Sequence, residues 1–254
     1  MFALKKPALA LLFGLLTAPL CLAGGVLKIG VTDADAPPIV ELAADGHTLR
    51  GGLSRELGDA LAAQLHMTPE YQVLARKRIE PMVESGRIHI VCNANPEWYG
   101  NATRLLWSHE LYPQVERAIS LHDLPDIHKA EELEGKRIGT IFGYNYPTLE
   151  RLWASGRSSR VEEAKLELLL KSLQKQLTNV AINSELEFAW WARNHPHDAH
   201  DFKLHPLVVT SMPTMCAVSP HAPLSLARLN QAIDSLHRRG TLQAILKRYQ
   251  WQAR

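Results

Sequence analysis

Cysteine is scarce in this sequence of 254 residues, which contains three. Cys21 lies in an apolar leader segment, so Cys92 and Cys216 are the cysteines of the remaining chain. Two cysteines are too few for a disulfide framework but enough for one bridge in an oxidising compartment. The sequence leaves their pairing open, and two buried free thiols are the favoured interpretation.

The sequence also lacks an excess of charge of one sign. It has 28 basic and 26 acidic residues, and no basic run stands outside the leader. This balance excludes a nucleic-acid-binding protein. After the leader, no apolar run approaches the roughly 20 residues that a membrane-spanning helix needs.

Motifs of common enzyme active sites are absent. The chain has no Gly-x-Ser-x-Gly, no His-Glu-x-x-His and no glycine-rich phosphate loop, and no cofactor is expected. An enzyme remains the minority hypothesis, in which Asp33, Glu56 or Glu97 acts as an acid or base in a cleft. A metal site is disfavoured because four histidines follow no recognised ligand spacing: His195, His197, His200 and His205.

The first residues have the pattern of an export signal. Two lysines precede an apolar run over residues 8–16, and Cys21 and Ala23 are small residues suited to cleavage. The pattern predicts that residues 1–23 form a signal peptide and that a soluble periplasmic protein begins near Gly24. One alternative is a membrane anchor, but the apolar run is shorter than the roughly 20 residues that a spanning helix needs and Pro19 interrupts its end. The other is acylation at Cys21, but the preceding "TAPL" poorly matches a lipoprotein signal.

Strand and helix patterns alternate along the remaining chain of about 230 residues, which is long enough for two lobes. The first part of this chain is predicted to have the order βαβαβ. Its strands cover 26–31, 70–74 and 88–92. Its first helix starts at Ser54, the predicted N-cap, and its second covers 78–86. This order predicts parallel strands covered by helices, an α/β lobe. A second α/β lobe follows, with strands over 136–143, 158–164 and 179–183 and helices over 147–156, 166–176 and 185–195.

Two helices separated by Gly240 are predicted at the carboxyl end. The histidine-rich stretch 195–205, "HPHDAHDFKLH", is predicted to be a loop. Trp190 and Trp191 are predicted to lie in the core and on the flank of the preceding helix.

Several segments, in order, resemble the periplasmic solute-binding proteins of the polar amino acid type. They are "LKIGVTDADAPP", "GGLSRELGDALAAQL", "RIEPMVESGRIHI", "WSHELYPQVERAIS", "ELEGKRIGTIFGYNY" and "LNQAIDSLHRRGTLQAILKRY". The resemblance implies a two-lobed α/β fold of the type II binding-protein class, each lobe a sheet flanked by helices. It implies a first lobe of residues 24–112 and 215–254, a second lobe of 113–214, and hinge crossings near Leu111–Gln114 and Ser211–Cys216.

The resemblance also implies a function. The expected protein is a monomeric receptor that captures a small polar solute between its lobes and delivers it to an inner-membrane ABC permease. The alternative is a sensory protein whose closed form docks on a membrane signalling partner. Hinge closure would serve either role, because contacts from both walls exist only in the closed state.

In members of that family, two side chains bind the charged groups of an amino acid ligand, and both positions differ in this sequence. Counting back from Trp107 and Ser108, Asn101 occupies the position of the arginine that binds the ligand carboxylate, and Arg104 lies three residues nearer the hinge. The usual carboxylate-binding arginine is therefore missing or displaced. Ser184, followed by Glu185, occupies the position of the aspartate that binds the ligand ammonium. An amide replaces a bidentate guanidinium poorly, so a conventional free L-amino acid is not the expected ligand. Glu185 or Glu187 could substitute for that aspartate through a shift of register, but on a helix both are expected to face water.

The segment "CNANPEWYGNATRLLWSHELY", residues 92–112, is predicted to form one wall of the cleft. Its aromatic residues offer flat apolar faces, and its asparagines offer neutral donors and acceptors. The predicted ligand-binding residues of this kind are Asn93, Asn95, Trp98, Tyr99, Asn101, Tyr144, Asn145 and Ser184. The alternative is that Trp98 and Tyr99 pack on the lobe surface while the asparagines stabilise turns.

Charged residues complete the predicted site. Asp33 and Asp35 follow the first strand, where loops of such sheets overhang a cleft, and they are assigned to a cationic group. Arg76 or Arg78 is predicted to bind an anionic group of the ligand. The backbone N–H groups after Gly143 are predicted to bind an acidic group of the ligand. The alternative is that these are solvated loop charges.

Overall fold

The computed structural model describes residues 24–33, 35–143 and 146–250. The predicted signal peptide lies outside these ranges, as do two predicted site residues, Tyr144 and Asn145. Within the described ranges, no helix combines the length and apolarity needed to cross a membrane.

The structure alternates strands and helices through most of its length. The strands are β1 (Val26–Thr32), β2 (Glu41–Leu42), β3 (Leu49–Gly51), β4 (Thr68–Leu74), β5 (Ile90–Ala94), β6 (Leu106–Trp107), β7 (Tyr112–Leu121), β8 (Arg137–Ile141), β9 (Ser159–Glu163), β10 (Val180–Ser184) and β11 (Phe202–Val218). The helices are α1 (Leu53–Leu65), α2 (Arg76–Glu84), α3 (Pro147–Ala154), α4 (Leu166–Gln174), α5 (Glu185–Asn194), α6 (Leu226–Arg238) and α7 (Thr241–Lys247).

The first lobe contains the predicted βαβαβ unit. Strand β1 pairs in parallel with β4 on one side and β5 on the other. Helices α6 and α7 return to this lobe, and their apolar faces share one core with α1 and β1. Leu57 and Leu61 of α1 meet Leu229 and Ile233 of α6 in that core, and all four are fully buried. The apolar periodicity that predicted these helices therefore marks their packing faces.

Helix α1 begins one residue before the predicted N-cap. Its first residue is Leu53 and its N-cap is Gly52, which has a φ of 95°. A Cβ atom on Gly52 would lie 2.8 Å from the carbonyl oxygens of Pro38 and Ile39, so the close approach requires glycine. Those carbonyls accept hydrogen bonds from the first N–H groups of α1 at 2.8 and 2.9 Å. The loop after β1 is thereby attached to the start of α1.

The second lobe has a mixed sheet with helices on both faces. Strand β8 pairs in parallel with β9 and β10, and β10 pairs antiparallel to β7. One core lies between this sheet and α3, and another lies between it and α4 and α5. The stretch predicted as a loop over 195–205 is a loop only in part, because β11 begins at Phe202.

Two long strands connect the lobes. The strand order β4-β1-β5-β11-β7-β10-β8-β9 runs through both lobes, and β11 and β7 lie at its centre. They pair antiparallel from Phe202 with Leu121 to Thr214 with Tyr112, and Pro213 lies opposite Pro113 where the chain passes between lobes. Beyond that point β11 pairs with β5 of the first lobe.

Cys92 and Cys216 form a disulfide, with an S–S distance of 2.02 Å. The favoured interpretation of two free thiols is therefore wrong. The two residues are 124 positions apart in the chain, and the pairing of β5 with β11 brings them together. The sequence contains no local signal of that pairing.

Candidate functional site

A cavity of about 840 Å³ opens between the two lobes. Its first-lobe wall comes from the end of β1 and the loop after it, the start of α2, and the end of β5 with the turn that follows. Its second-lobe wall comes from the end of β10, helix α5 and the segment that leads into α4. A volume of this size suits a small organic ligand.

The connecting strands β7 and β11 form the floor of the cavity. Gln114 and Glu116 of β7 line it together with Thr210 and Met212 of β11. Gln114 lies opposite Met212, and Glu116 lies opposite Thr210, so two cross-strand pairs face the ligand space. The floor is thus made by the segments that join the lobes.

Glu116 is a buried acid in this floor, with 8% of its surface exposed. Burial raises the pKa of its carboxyl group, and the hydrogen bond from the Thr210 hydroxyl opposes that rise. The Thr210 Oγ1 atom donates to the Glu116 Oε2 atom at 2.8 Å.

Three further polar residues lie beside Glu116 on the second-lobe wall. Ser184 ends β10 directly opposite Glu116 and is the N-cap of α5, where its hydroxyl accepts from the Glu187 N–H group at 3.5 Å. This hydrogen bond places Glu187 in the first turn of α5, on the cavity wall. Burial raises the pKa of Glu187 to about 7, the charge of Glu116 adds to the rise, and the Asn183 amide opposes it.

Asn183 also lines the cavity, with 2% of its surface exposed. Its Oδ1 atom is buried and has no hydrogen-bond partner. Leaving a buried carbonyl oxygen unpaired costs about 1 to 3 kcal/mol. A ligand that donates a hydrogen bond to this atom would remove that cost.

Asp35 is the main acid of the first-lobe wall. Burial raises the pKa of Asp35 to about 6, while the Asn93 amide and the positive charge of Arg76 oppose the rise. Asn93 has a φ of 55°, and its Oδ1 atom accepts a hydrogen bond of 2.6 Å from the Tyr112 hydroxyl. Asparagine tolerates this left-handed conformation better than most residues.

Arg76, Trp98 and Tyr99 form a connected group on the same wall. The Arg76 guanidinium lies 4.6 Å from the centre of the Tyr99 ring and donates to the Trp98 carbonyl at 2.5 Å. Tyr99 packs edge-on against Trp107 with ring centres 5.2 Å apart. Trp98 lines the cavity with 39% of its surface exposed, so its ring has free surface for a ligand.

The structure therefore brings together six of the eleven predicted site residues around the cavity. They are Asp35, Arg76, Asn93, Trp98, Tyr99 and Ser184. The assignment of these residues to a ligand remains a prediction.

Three predicted site residues do not line the cavity. Asp33 is exposed beyond the end of β1. Asn95 is buried, and its amide group binds the Pro213 carbonyl and the Glu97 N–H group, so it stabilises a turn. Asn101 is exposed, and its backbone N–H donates to Glu80 at 2.9 Å. Asn95 therefore fits the alternative hypothesis, in which the asparagines stabilise turns and do not bind a ligand.

The prediction that Glu187 faces water is wrong, because the capping turn at Ser184 directs this residue to the cavity wall. Glu185 instead lies 3.4 Å from Arg117 in an ion pair. The spacing Ser-x-x-Glu at 184–187 is the signal that was missed, since it is typical of the first turn of a helix.

Sequence reasoning also missed Gln114, Glu116, Asn183, Thr210 and Met212. The alternation in "YPQVERAIS" is the signal for β7, since it places residues 114 and 116 on one face of a strand. Trp190 and Trp191 border the cavity as well as the core.

The histidines do not form a metal site in the part of the chain that the structure describes, where no three His, Cys, Asp or Glu residues converge as metal ligands do. His205 is fully buried. Its ring accepts from the Ile127 N–H group at 3.1 Å and lies 2.8 Å from the Ser120 hydroxyl. Burial lowers the pKa of His205 to about 4, consistent with a neutral structural side chain.

Comparisons with known proteins give one family. The family model of the bacterial extracellular solute-binding proteins, family 3, matches residues 27–252. No curated protein matches the sequence.

Several solved structures share the fold at low identity. An ancestral arginine-binding protein bound to arginine is 18% identical with a TM-score of 0.63, over 89% of this chain and 99% of that one. The L-cystine solute receptor of Neisseria gonorrhoeae, unliganded and open, is 17% identical with a TM-score of 0.70, over 89% and 92%. A histidine kinase sensor domain with similarity to periplasmic binding proteins is 18% identical with a TM-score of 0.64, over 88% and 95%.

Proposed function

The chain belongs to family 3 of the bacterial extracellular solute-binding proteins, and from this membership we propose that it captures a small polar solute between its lobes and delivers it to an inner-membrane ABC permease. The observation that carries the proposal is the cavity of about 840 Å³ walled by both lobes. In this role the protein binds and releases the solute without changing it chemically.

Hinge closure is the proposed means of capture. The moving units are the first lobe, residues 24–112 with 215–254, and the second lobe, residues 113–214. The passage between them is narrow, because it consists of the paired strands around Pro113 and Pro213. A ligand that touches both walls favours the state in which the walls approach each other.

We propose further that the ligand is not a conventional free L-amino acid. Asn101, at the position of the usual carboxylate clamp, is exposed and lies outside the cavity lining. Arg76 is the arginine of the described cavity lining, and it is already engaged with the Tyr99 ring and the Trp98 carbonyl. Ser184 replaces an aspartate with an uncharged group.

The proposed location is the periplasm, reached through a cleavable signal peptide at residues 1–23. Family membership supports this, since the family is extracellular. Amino-terminal sequencing of protein recovered from the periplasm should find a first residue near Gly24. Recovery of the uncleaved chain in the membrane fraction would contradict the assignment.

A sensory role is the second candidate, because a histidine kinase sensor domain shares the fold. Permease and ATPase genes beside this one would favour transport, and a neighbouring sensor kinase or cyclase gene would favour signalling. Crosslinking of the liganded protein in membranes carrying the neighbouring gene product separates the two roles directly.

A thermal-shift screen of the mature protein tests solute capture. The panel contains amino acids, amines and guanidinium compounds, small peptides, organic acids and neutral polyols. A ligand that binds only the native state adds about 2.7 kcal/mol to the free energy of unfolding at a hundredfold excess over Kd. The matching class should raise Tm and reduce the radius of gyration in small-angle scattering.

Two outcomes would contradict this proposal. If L-amino acids gave the largest shifts, the argument from Asn101 and Ser184 would fail while solute capture stood. If no compound class changed Tm or the radius of gyration, solute capture itself would fail. Mass spectrometry of the recovered solute checks that it is chemically unchanged.

A further inference from the structure

We propose that the ligand carries a cationic hydrogen-bond donor, an amine or a guanidinium group, and that Glu116 on the cavity floor binds it together with Glu187 and Asn183 on the second-lobe wall. The inference rests on the proposed function and names the solute class of that same cavity.

The three residues lie together because of strand pairing and helix capping. Ser184 of β10 lies opposite Glu116 of β7, and Asn183, the residue before it, lies opposite Arg117 and lines the same cavity. The cap at Ser184 then turns the chain into α5 and puts Glu187 on the same wall. The carboxylates are close enough for the charge of Glu116 to disfavour ionisation of Glu187.

The protein groups at this site accept hydrogen bonds, so the ligand must supply the donor. An ionised carboxylate only accepts hydrogen bonds, and so does an amide oxygen. The Asn183 Oδ1 atom is buried without a partner, and its amide N–H side faces Glu187, which leaves the oxygen as the group in need of a donor. An ammonium or guanidinium group brings several N–H donors and a compensating charge to one place.

The charge balance of the cavity agrees with this chemistry. Of the residues that the structure describes, five carboxyl side chains and two cationic side chains line the cavity. Arg76 acts on Asp35 across the first-lobe wall, and Lys165 lies beside Glu167 in the chain. Among the described residues, no lysine or arginine is within ion-pair distance of Glu116 or Glu187. Arg117, the neighbour of Glu116, is engaged with Glu185 and the His205 carbonyl.

A molecular cation fits better than a metal ion. Within the described residues, the acids of this wall do not converge as metal ligands do. The cavity is also far larger than an ion requires, and Trp98 and Trp190 add apolar surface to its lining. Alkyl chains and cationic heads both bind favourably beside aromatic rings.

Isothermal titration with a matched four-carbon series tests the inference at pH 8. The compounds are butane-1,4-diamine, butylguanidinium, 4-aminobutanoate, butane-1,4-diol and butanedioate. The cations should bind at least about tenfold more tightly than the diol and the dianion, as expected for loss of a charge-assisted contact. A dianion or diol that binds as tightly as the cations overturns the inference and leaves solute capture intact.

The full thermal-shift panel covers cations of other shapes. If none of its amines or guanidinium compounds binds, the inference is overturned, and the remaining classes decide whether solute capture survives. A panel in which no class binds overturns both.

Charge-neutral variants locate the site. Glu187→Gln should weaken the best cation by about tenfold or more, because it removes charge while keeping the shape of the side chain. Glu150→Gln is the matched control, because Glu150 is an exposed residue of α3. Its affinity should stay within about twofold of the wild-type value. Glu187→Gln should also raise the Tm of the unliganded protein at pH 8, since it relieves repulsion with Glu116. Unchanged affinity in the Glu187 variant would place the cation elsewhere and overturn the assignment.

Discussion

The Thr210 hydroxyl donates a hydrogen bond of 2.8 Å to the Glu116 carboxylate across the two strands that connect the lobes. The bond holds a buried acid in the floor of the cavity, at the position where the lobes move relative to each other in the proposed mechanism. A ligand that contacts Glu116 therefore contacts the connecting strands themselves. Ligand binding and lobe closure would be coupled at this point.

The affinity for the best cation should decrease as the pH falls from 8 to 5. The pKa of Glu187 is about 7 and that of Asp35 about 6, so both acids lose their charge in this range. The acids that act on Glu187 are Glu116, Asp35 and Glu167, and Arg76 and Lys165 line the same cavity. Alkylammonium groups stay charged throughout, as lysine does. Titration calorimetry at four pH values measures the change.

The matched control for this pH profile is Glu187→Gln, whose affinity should vary less between pH 6 and 8. A variant whose profile parallels that of the wild-type protein would show that another group controls binding.

Glu187 should make the unliganded protein less stable as the pH rises. Its pKa is about 7 in the folded protein, against 4.5 for an ordinary glutamate in water, so between these values the folded state holds a proton that the unfolded state has lost. Its contribution to the free energy of unfolding is complete below pH 4.5 and is lost as the pH passes 7. The difference of about 2.5 pKa units corresponds to a loss of about 3 to 4 kcal/mol at about 1.4 kcal/mol per unit.

Urea unfolding of the wild-type protein and Glu187→Gln at pH 5 and pH 8 measures this contribution. The free energy of unfolding of Glu187→Gln, relative to that of the wild-type protein, should be larger at pH 8 than at pH 5. Glu150→Gln should keep the wild-type pH dependence. An equal difference at both pH values would refute the prediction.

Trp98→Ala should weaken the ligand while leaving the fold intact. The Trp98 ring is 39% exposed and lines the cavity, so its removal takes away ligand contact with little loss of core packing. We expect a loss of about tenfold in affinity, in the range of aromatic contacts in binding sites. Leu177→Ala is the control, because Leu177 is 57% exposed and lies outside the cavity lining. Unchanged affinity would assign the Trp98 ring to surface packing alone.

Reduction of the Cys92–Cys216 disulfide should lower Tm. The bridge closes a loop across 124 positions of sequence, and bridges of long loops typically stabilise the folded state by about 2 to 4 kcal/mol. Differential scanning calorimetry with and without a thiol reductant measures the effect. The double variant Cys92→Ala with Cys216→Ala should have a Tm that does not respond to reductant. A wild-type Tm that is equally insensitive would contradict the prediction.

Arg193→Met should separate the lobes in the unliganded protein. The Arg193 guanidinium of α5 donates to the Tyr249 carbonyl at 3.2 Å and to the Arg248 carbonyl, so it joins the second lobe to the end of α7 in the first. Loss of these bonds should increase the radius of gyration in small-angle scattering. Arg151→Met, on the exposed face of α3, is the control. A radius unchanged in both variants would show that these bonds do not hold the lobes together.

The parallel units of both lobes were predictable from the sequence. The strands β1, β4 and β5 and the helices between them follow apolar periods of two and 3.6 residues, which depend on neighbours within one or two turns. The connecting strands were predicted as crossings but not as strands. Both contain proline where they pair, Pro113 opposite Pro213, and proline within a run argues against a strand.

The missed strands explain the missed site residues. Because β7 was not predicted to be a strand, the alternation in "YPQVERAIS" was not used to place Glu116 on the side of the cavity. Asn95 and Asn101 were assigned to the cavity from their residue type, but their backbone turns direct them elsewhere.

Local contacts are therefore sufficient to set the order of strands and helices, the apolar faces of the helices and the loop that brings Asp35 to the first-lobe wall. Long-range pairing alone brings β10, with Asn183 and Ser184, beside Glu116 of β7 and brings Cys92 to Cys216, while the local cap at Ser184 then adds Glu187 to the cavity. The partners are far apart in the chain, and the energy of such contacts depends on register and burial that no short segment of sequence contains.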